Sequence, residues 1–89
     1  MELPAMSEEF YRRVDYARRT FNTLKAENGA RTERGKAYIL YGPPEKIDRM
    51  LLASSAPQET WYYPALGRKL TFVDRGKTGD YTLIATEQL

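Results

Sequence analysis

The 89-residue sequence contains no cysteine and no histidine. Without cysteine, the chain can form neither a disulfide framework nor a thiolate metal site. Without histidine, it also lacks the commonest general base and one of the usual zinc and iron ligands. These absences remove the usual nucleophile dyads and leave carboxylate, lysine, tyrosine and hydroxyl chemistry. We therefore predict no catalytic residue, no cofactor site and no metal site.

Long apolar runs are absent as well. No stretch approaches the roughly 18 apolar residues of a transmembrane helix, so we predict no membrane span. Fourteen basic and twelve acidic residues are mixed along the chain, which gives a formal net charge of +2. Mixed charge of this kind is typical of a solvated surface rather than of a nucleic-acid footprint.

The N-terminal part of the chain carries a helical pattern. Apolar residues recur at spacings of three and four between Phe10 and Leu24, which predicts one buried stripe of an α-helix over residues 7–27. Asn28 and Gly29 provide a stop signal after it. Acidic and basic residues four positions apart predict weak ion pairs on its solvent side.

A short apolar run at residues 37–41 is stopped abruptly by Gly42 and two prolines. The run is short for a helix and rich in aromatic and branched side chains, so we predict a buried, central β-strand. Pro44 suits the first position of a helix, and apolar residues follow it at helical spacing. This pattern predicts a short helix over residues 44–52.

Three further strands are predicted around residues 60–63, 69–74 and 80–85, separated by glycine-containing segments of hairpin length. The expected fold is α+β: a long N-terminal helix packed on a mostly antiparallel sheet of about four strands, with a short helix after the first strand. The sequence leaves the order of the strands open. The length predicts one domain with one core. The residues predicted to anchor this core are Trp61, Phe21, Ile39 and Phe72.

Alternation along the three C-terminal strands places their side chains on two opposite faces of the sheet. We expect the face with Trp61, Leu70 and Phe72 to contact the long helix. The other face, called the second face below, is more apolar than a solvated sheet face needs to be, and exposed apolar patches often mark interfaces. The alternative is that the short helix at residues 44–52 covers it. The predicted interaction surface consists of Tyr62, Val73, Ile84, Thr71 and Thr82.

Three carboxylates, Glu45, Asp48 and Glu59, are the remaining candidates for acid–base or calcium chemistry. They lack the alternating pattern of a calcium-binding loop, so we interpret them as helix-end and surface charge. Seven tyrosines, one tryptophan and the arginines would also suit a module that stacks RNA bases on its sheet. A packed aromatic core explains most of these aromatic residues more simply, so nucleic acid is not the predicted partner. An accessory domain of an enzyme is a further alternative.

Several segments together resemble the GWxTD domain, a bacterial family of unassigned biochemical function. They are the polar loop at residues 29–35, the run AYILYGPPEKI at residues 37–47, and the strand ETWYY at residues 59–63. The sequence departs from the naming motif at Ala30, where the family has tryptophan, and at Glu33, where it has aspartate.

The resemblance implies a module of a larger, exported protein, because members of the family resemble secreted or envelope-associated modules attached to longer chains. It implies that residues 1–89 are a single domain cut from such a chain, with a secreted or periplasmic location. The expected partner is a neighbouring domain of the parent chain or another protein, with self-association as an alternative. The family offers no established catalytic residue to carry over. The expected function is therefore a non-catalytic interaction or structural module.

Overall fold

The computed structural model describes residues 4–89, with side chains from residue 8 onward. Contacts divide the chain into two compact units, with the boundary between Gly42 and Pro43. We call residues 4–42 the helical unit and residues 43–89 the sheet unit. Together their elements form an α+β fold, which confirms the predicted class.

The helical unit contains two helices and one 3₁₀ turn: α1 (Pro4–Thr20), the turn (Gly29–Arg31) and α2 (Glu33–Tyr41). The predicted N-terminal helix is confirmed, but it ends at Thr20 instead of continuing to residue 27. A local turn replaces its last part, because the Thr23 hydroxyl accepts a hydrogen bond from the Ala26 amide and competes with helical bonding. Leu24, which was predicted on the buried stripe, is 99% exposed.

Residues 37–41 form the second half of α2, so the predicted central strand is wrong. The helix starts at a strong cap, in which Thr32 Oγ1 accepts a hydrogen bond from the Gly35 amide at 3.0 Å. A short apolar run has no periodicity that separates a strand from a helix, and here the capped helix extends through the run. Gly42 ends the helix with a positive φ of 84°.

Aromatic rings join the two helices of the helical unit. Tyr38 of α2 stacks on Tyr16 of α1, with their ring centroids 4.5 Å apart. Phe21, which follows α1, contacts both rings and is buried. Burial raises the pKa of the Tyr38 hydroxyl, and the nearby Tyr16 adds to this effect. The helical unit therefore has a small aromatic cluster of its own.

The sheet unit contains four strands, β1 (Lys46–Met50), β2 (Gln58–Tyr63), β3 (Arg68–Val73) and β4 (Thr82–Gln88). They form an antiparallel meander in the order β1-β2-β3-β4. This arrangement confirms the predicted antiparallel sheet and gives the strand order that the sequence left open. The inner strands are β2 and β3, and the edges are β1 and β4.

Residues 46–50 form β1, so the predicted short helix after Pro44 is wrong. Ile47 pairs with Trp61 of β2, and the Glu45 amide donates a hydrogen bond to the Tyr62 carbonyl. Pairing with β2 outweighs the helical spacing of the apolar residues, because local propensity is weak against tertiary contacts. The short helix of this fold is α2, which precedes the first strand.

The predicted core residues differ in burial. Trp61 and Phe72 are fully buried, with their ring centroids 4.8 Å apart. Leu70, which pairs with Trp61, is fully buried too. Phe21 is buried, whereas Ile39 is only half-buried. The prediction for Ile39 is wrong because this residue lies on α2 rather than on a central strand.

Candidate interaction surface

Strand register assigns each side chain of the sheet to a face, because directly paired residues lie on the same face. On the first face, Trp61 pairs with Leu70, and Glu59 pairs with Phe72. All four side chains are buried. The first face is therefore the buried side of the sheet, as the alternation of the strands predicted.

Three rows of side chains cross the second face. The predicted residues Tyr62 and Val73 lie in different rows, with the row that contains Thr71 between them. The predicted surface is therefore not one cluster. From one end of the face to the other, the rows are Met50, Gln58, Val73 and Thr82; then Asp48, Thr60, Thr71 and Ala85; then Lys46, Tyr62, Lys69 and Glu87.

Exposure also differs among the predicted surface residues. Thr82 is exposed, Ile84 is 47% exposed and Tyr62 is half-buried. Val73 and Thr71 are only 8% and 9% exposed, so the expectation of an accessible patch at these two residues is wrong. Both lie on the inner strand β3, where side chains of β2 and β4 flank them on either side.

Tyr62 lies among charged groups rather than in an apolar patch. The Lys46 ammonium is 5.4 Å from the centre of its ring, and Lys69 is its partner on β3. Lys69 Nζ in turn lies 4.0 Å from the Glu87 carboxylate. An exposed cation over an aromatic ring is attracted by about 0.5–1 kcal/mol. The third row is therefore a charged strip around one tyrosine.

Ile84 occupies a β-bulge in β4. Thr71 pairs with Ala85 and Phe72 pairs with Leu83, so Ile84 is an extra residue that lies directly opposite no residue of β3. A bulge interrupts the alternation of side chains and bends the strand locally. The simple alternation that placed Ile84 beside Val73 does not hold through this point.

Sequence reasoning missed an exposed apolar segment at the end of β1. Met50 lies in the first row of the second face, and it is 51% exposed. Leu51 and Leu52, which follow it, are 69% and 55% exposed. Because residues 44–52 were predicted as a helix, sequence reasoning did not identify this exposed segment. The same residues form an edge strand, so they do not cover the second face as the alternative proposed.

Glu59 is a buried carboxylate that sequence reasoning placed on the surface. It is 3% exposed, and it accepts hydrogen bonds from Trp61 Nε1 at 3.0 Å and from Arg49 Nε at 2.9 Å. Such partners are required, because a buried charge without them is costly. Its spacing of two residues from Trp61 is the signal that places both side chains on one face.

Asp48 lies on the other face of the sheet. Residues 4–89 contain no acidic cluster that could hold a metal ion.

The turn between α1 and α2 depends on very close backbone contacts. A Cβ atom added at Gly35 would lie 1.9 Å from the Gly29 carbonyl oxygen, and one added at Gly29 would lie 2.2 Å from the Ala17 carbonyl oxygen. Thr32 connects the two glycines, because its hydroxyl donates to the Gly29 carbonyl and accepts from the Gly35 amide. These three residues of the predicted loop therefore have structural roles.

A groove of about 540 Å³ lies between α1 and α2. At its rim, Arg13 donates hydrogen bonds to the Glu9 carboxylate and to the Ile39 carbonyl, which lies near the end of α2. The Arg13 hydrogen bond holds the pKa of Glu9 below its usual value. The groove is lined by Glu9, Phe10, Arg13, Lys36, Ile39 and Leu40.

Neither helix is long and apolar enough to cross a membrane, within the part of the chain that the structure describes.

A comparison of the sequence with models of protein families tests the resemblance to the GWxTD domain. The GWxTD domain model matches residues 5–87, which include the turn with Gly29, Thr32 and Gly35, strands β1 to β3, and β4 up to Glu87. Searches of curated proteins and of solved structures find no match to the chain. Since the family model covers nearly the whole sequence, the chain belongs to the GWxTD domain family.

Proposed function

We propose that this chain is a non-catalytic protein-interaction or structural module of a larger, exported bacterial protein. The observation that carries the proposal is the exposure of Met50 and Thr82 in the first row of the second face, and of Ile84 in the adjoining bulge. Exposed apolar side chains such as Met50 and Ile84 are common at protein interfaces. The surface that binds is therefore the first row of the second face with the adjoining bulge.

The available chemistry supports the non-catalytic part of the proposal. The buried carboxylate Glu59 is held by Arg49 and Trp61 within the sheet, which is the environment of a structural ion pair. The chain has no histidine and no cysteine to act as a base or a nucleophile. Its polar groups thus serve the fold better than they would serve a reaction.

A neighbouring domain of the parent chain is the partner that we propose, with a secreted or periplasmic location. Membership of the GWxTD domain family supports this choice, because the resemblance to that family implies a module attached to a longer, exported chain. The charged row around Tyr62 supports an interface with a polar rim, since interfaces commonly surround an apolar centre with polar groups.

The ion pairs of α1 weigh against nucleic acid as the partner. Glu9 and Asp15 each bind two arginines, which reduces the positive charge that these side chains offer to phosphate groups. Exposed pairs of this kind contribute little to stability, but they lower the local potential. The pairs are Arg12 and Arg13 with Glu9, and Arg18 and Arg19 with Asp15.

Ile84→Asp tests the proposal. This side chain is exposed, so the variant should melt within a few degrees of the parent, while its binding to the remainder of the parent chain falls by about tenfold or more. Titration calorimetry measures the binding. Ser54→Asp adds the same charge at an exposed loop position and should leave the binding unchanged. Equal binding by the two variants, or no binding by the parent sequence, contradicts the proposal.

A further inference from the structure

Asn28 and Gly29 form the one Asn–Gly pair of the sequence. An asparagine followed by glycine readily loses its side-chain amide, because glycine has no Cβ to shield the backbone nitrogen that attacks it. Asparagine is accordingly among the thermolabile residues of proteins. The other asparagine, Asn22, precedes Thr23, whose branched side chain hinders the same attack. The sequence therefore makes residue 28 the expected site of deamidation.

Deamidation begins when the Gly29 backbone nitrogen attacks the side-chain carbonyl carbon, Cγ, of Asn28. A bond forms between the nitrogen and Cγ, the bond from Cγ to Nδ2 breaks, and Nδ2 leaves as ammonia with the Gly29 amide proton. The product is a five-membered succinimide ring. Water then adds to one of the two ring carbonyls and breaks its bond to the nitrogen, which gives aspartate or isoaspartate. Neither step transfers electrons to or from another molecule.

The closed turn between α1 and α2 holds Asn28 in a conformation that prevents this attack. Ring closure requires the Asn28 Cβ and the Gly29 nitrogen on the same side of the bond between Cα and the carbonyl carbon. The ψ angle of Asn28 is 103°, an extended value that places them on opposite sides. The side chain is fixed as well, since Oδ1 accepts a hydrogen bond from the Ala30 amide at 2.9 Å. Asn28 is exposed, so its conformation protects it rather than burial.

Gly29 cannot follow a rotation of Asn28 while the turn is closed. A Cβ atom added at Gly29 would lie 2.2 Å from the Ala17 carbonyl oxygen and 2.5 Å from the Asn22 amide nitrogen. The Gly29 carbonyl also accepts hydrogen bonds from the hydroxyl and the amide of Thr32. Backbone atoms packed this closely leave no space for the peptide group to turn. The attack therefore requires the turn to open.

We propose that Asn28 is a deamidation site that the closed turn protects and that opening of the turn exposes to reaction. Deamidation is slow compared with local opening, so its rate follows the fraction of molecules in which the turn is open. The released ammonia does not return, so the modified fraction grows with the total time that the turn spends open. The site belongs to the helical unit and is independent of the proposed docking surface on the sheet unit.

The two products should differ in their effect on the turn. Aspartate keeps a side-chain oxygen that accepts the Ala30 hydrogen bond, so it preserves the cap. Isoaspartate carries the main chain through the former side chain and lengthens it by one methylene group next to Gly29. The closed turn has no space for the resulting displacement of Gly29. Isoaspartate at residue 28 should therefore prevent the turn from closing again.

Peptide mapping by mass spectrometry at mildly alkaline pH tests the proposal. Deamidation at residue 28 should be about tenfold slower or more in the native chain than in urea, which opens the turn. Asn22 is the internal control in the same samples and should stay unmodified over the same period. Equal rates at residue 28 in the two conditions, or no reaction there in urea, overturn the proposal.

Gly35→Ala and Gly76→Ala form a matched pair that tests the role of the turn. The Cβ added at Gly35 would lie 1.9 Å from the Gly29 carbonyl oxygen, so this variant should open the turn and deamidate about tenfold faster or more under native conditions. If it fails to fold, it should react at the rate of the parent in urea. Gly76 is exposed, so its variant should react at the parent rate. Equal native rates in the two variants overturn the proposal.

Asn28→Ser tests the effect of the product on the turn. Serine keeps a hydroxyl that accepts the Ala30 hydrogen bond, but it has no amide group to lose. After long incubation in urea and return to native buffer, the parent should recover less helical circular dichroism signal than Asn28→Ser, in proportion to its isoaspartate content. Equal recovery while the parent contains isoaspartate overturns the predicted effect on the turn.

Discussion

The helical unit and the sheet unit are held together by different kinds of contact. In the helical unit the closest contacts are between backbones, where Gly29 and Gly35 leave no room for a Cβ atom. The core of the sheet unit consists of large buried side chains, above all Trp61 and Phe72. The turn of the helical unit therefore depends on the absence of two side chains, and the sheet unit depends on side-chain volume.

This difference predicts opposite responses to a change in side-chain size. Added volume should damage the turn of the helical unit, because backbone atoms that already touch cannot move apart without distorting the two helices. Removed volume should damage the sheet unit, because it leaves a cavity beside Trp61 or Phe72. Substitutions of both kinds test this difference between the two units.

The largest effect is expected from Trp61→Ala in the sheet unit. Truncation of a fully buried tryptophan should cost about 3 to 5 kcal/mol, which is a large part of the stability of a small domain. It also removes the Nε1 donor that binds the Glu59 carboxylate. Urea denaturation followed by far-ultraviolet circular dichroism measures the loss, since the variant has no tryptophan fluorescence.

Tyr62→Ala is the control for Trp61→Ala, because the neighbouring side chain is half-buried and lies on the second face. It should cost less than about 1.5 kcal/mol, mainly through partial loss of apolar contact. If the two variants lose similar stability, the contrast between the faces is wrong, and the volume of Trp61 does not support the sheet unit.

An intermediate effect is expected from Gly35→Ala in the helical unit. Helix propensity alone favours alanine in α2 by about 1 kcal/mol. The added Cβ would lie 1.9 Å from the Gly29 carbonyl oxygen, and overpacking of this kind costs about 1 to 3 kcal/mol or more. The steric cost should therefore outweigh the gain. Thermal denaturation followed by the helical circular dichroism signal measures the net change.

Gly76→Ala is the matched control for Gly35→Ala. Gly76 is exposed, and the nearest atom to an added Cβ is a Thr78 methyl group at 3.4 Å. Stability should change by less than about 0.5 kcal/mol. A Gly35→Ala variant that is as stable as the control would show that the contact between the two glycines is looser than the structure describes.

The same contrast explains which parts of the fold can be predicted from sequence. Alternation revealed the strands that contain Trp61 and Phe72, because their side chains point alternately to the two faces of the sheet. A backbone contact between Gly29 and Gly35 leaves no periodic pattern, and a cap at Thr32 is visible only once α2 is suspected. The run at residues 37–41 was therefore predicted as a strand.

The candidate surface shows a similar limit. Alternation placed Tyr62, Val73 and Thr82 correctly on one face of the sheet. The alternating pattern does not show which row of that face each side chain occupies. That depends on register, which the hairpin loops and the bulge at Ile84 determine. Glu59 was predictable in principle, since a carboxylate two residues from a buried tryptophan shares its face.

The smallest effect is expected from pH, and it should act on the helical unit. Hydrogen bonds from Arg13 and Arg18 lower the pKa values of Glu9 and Asp15, respectively, while burial opposes both shifts. A carboxylate with a lower pKa in the folded state adds stability above its unfolded pKa. That contribution is lost as the pH falls through the folded value. Acid should therefore weaken α1.

Glu9→Gln should remove part of this acid dependence. The variant should be slightly less stable than the parent near pH 7, and the difference should shrink as acid protonates the parent carboxylate, whose pKa the Arg13 hydrogen bond lowers. Glu8→Gln is the control, because the Glu8 carboxylate binds no arginine in the described part of the chain. Helical circular dichroism reports on α1 and α2, and fluorescence of the single tryptophan reports on the sheet unit. If Glu9→Gln and Glu8→Gln give the same pH profile, the arginine pairs do not stabilise α1, and the close backbone contacts carry the helical unit without them.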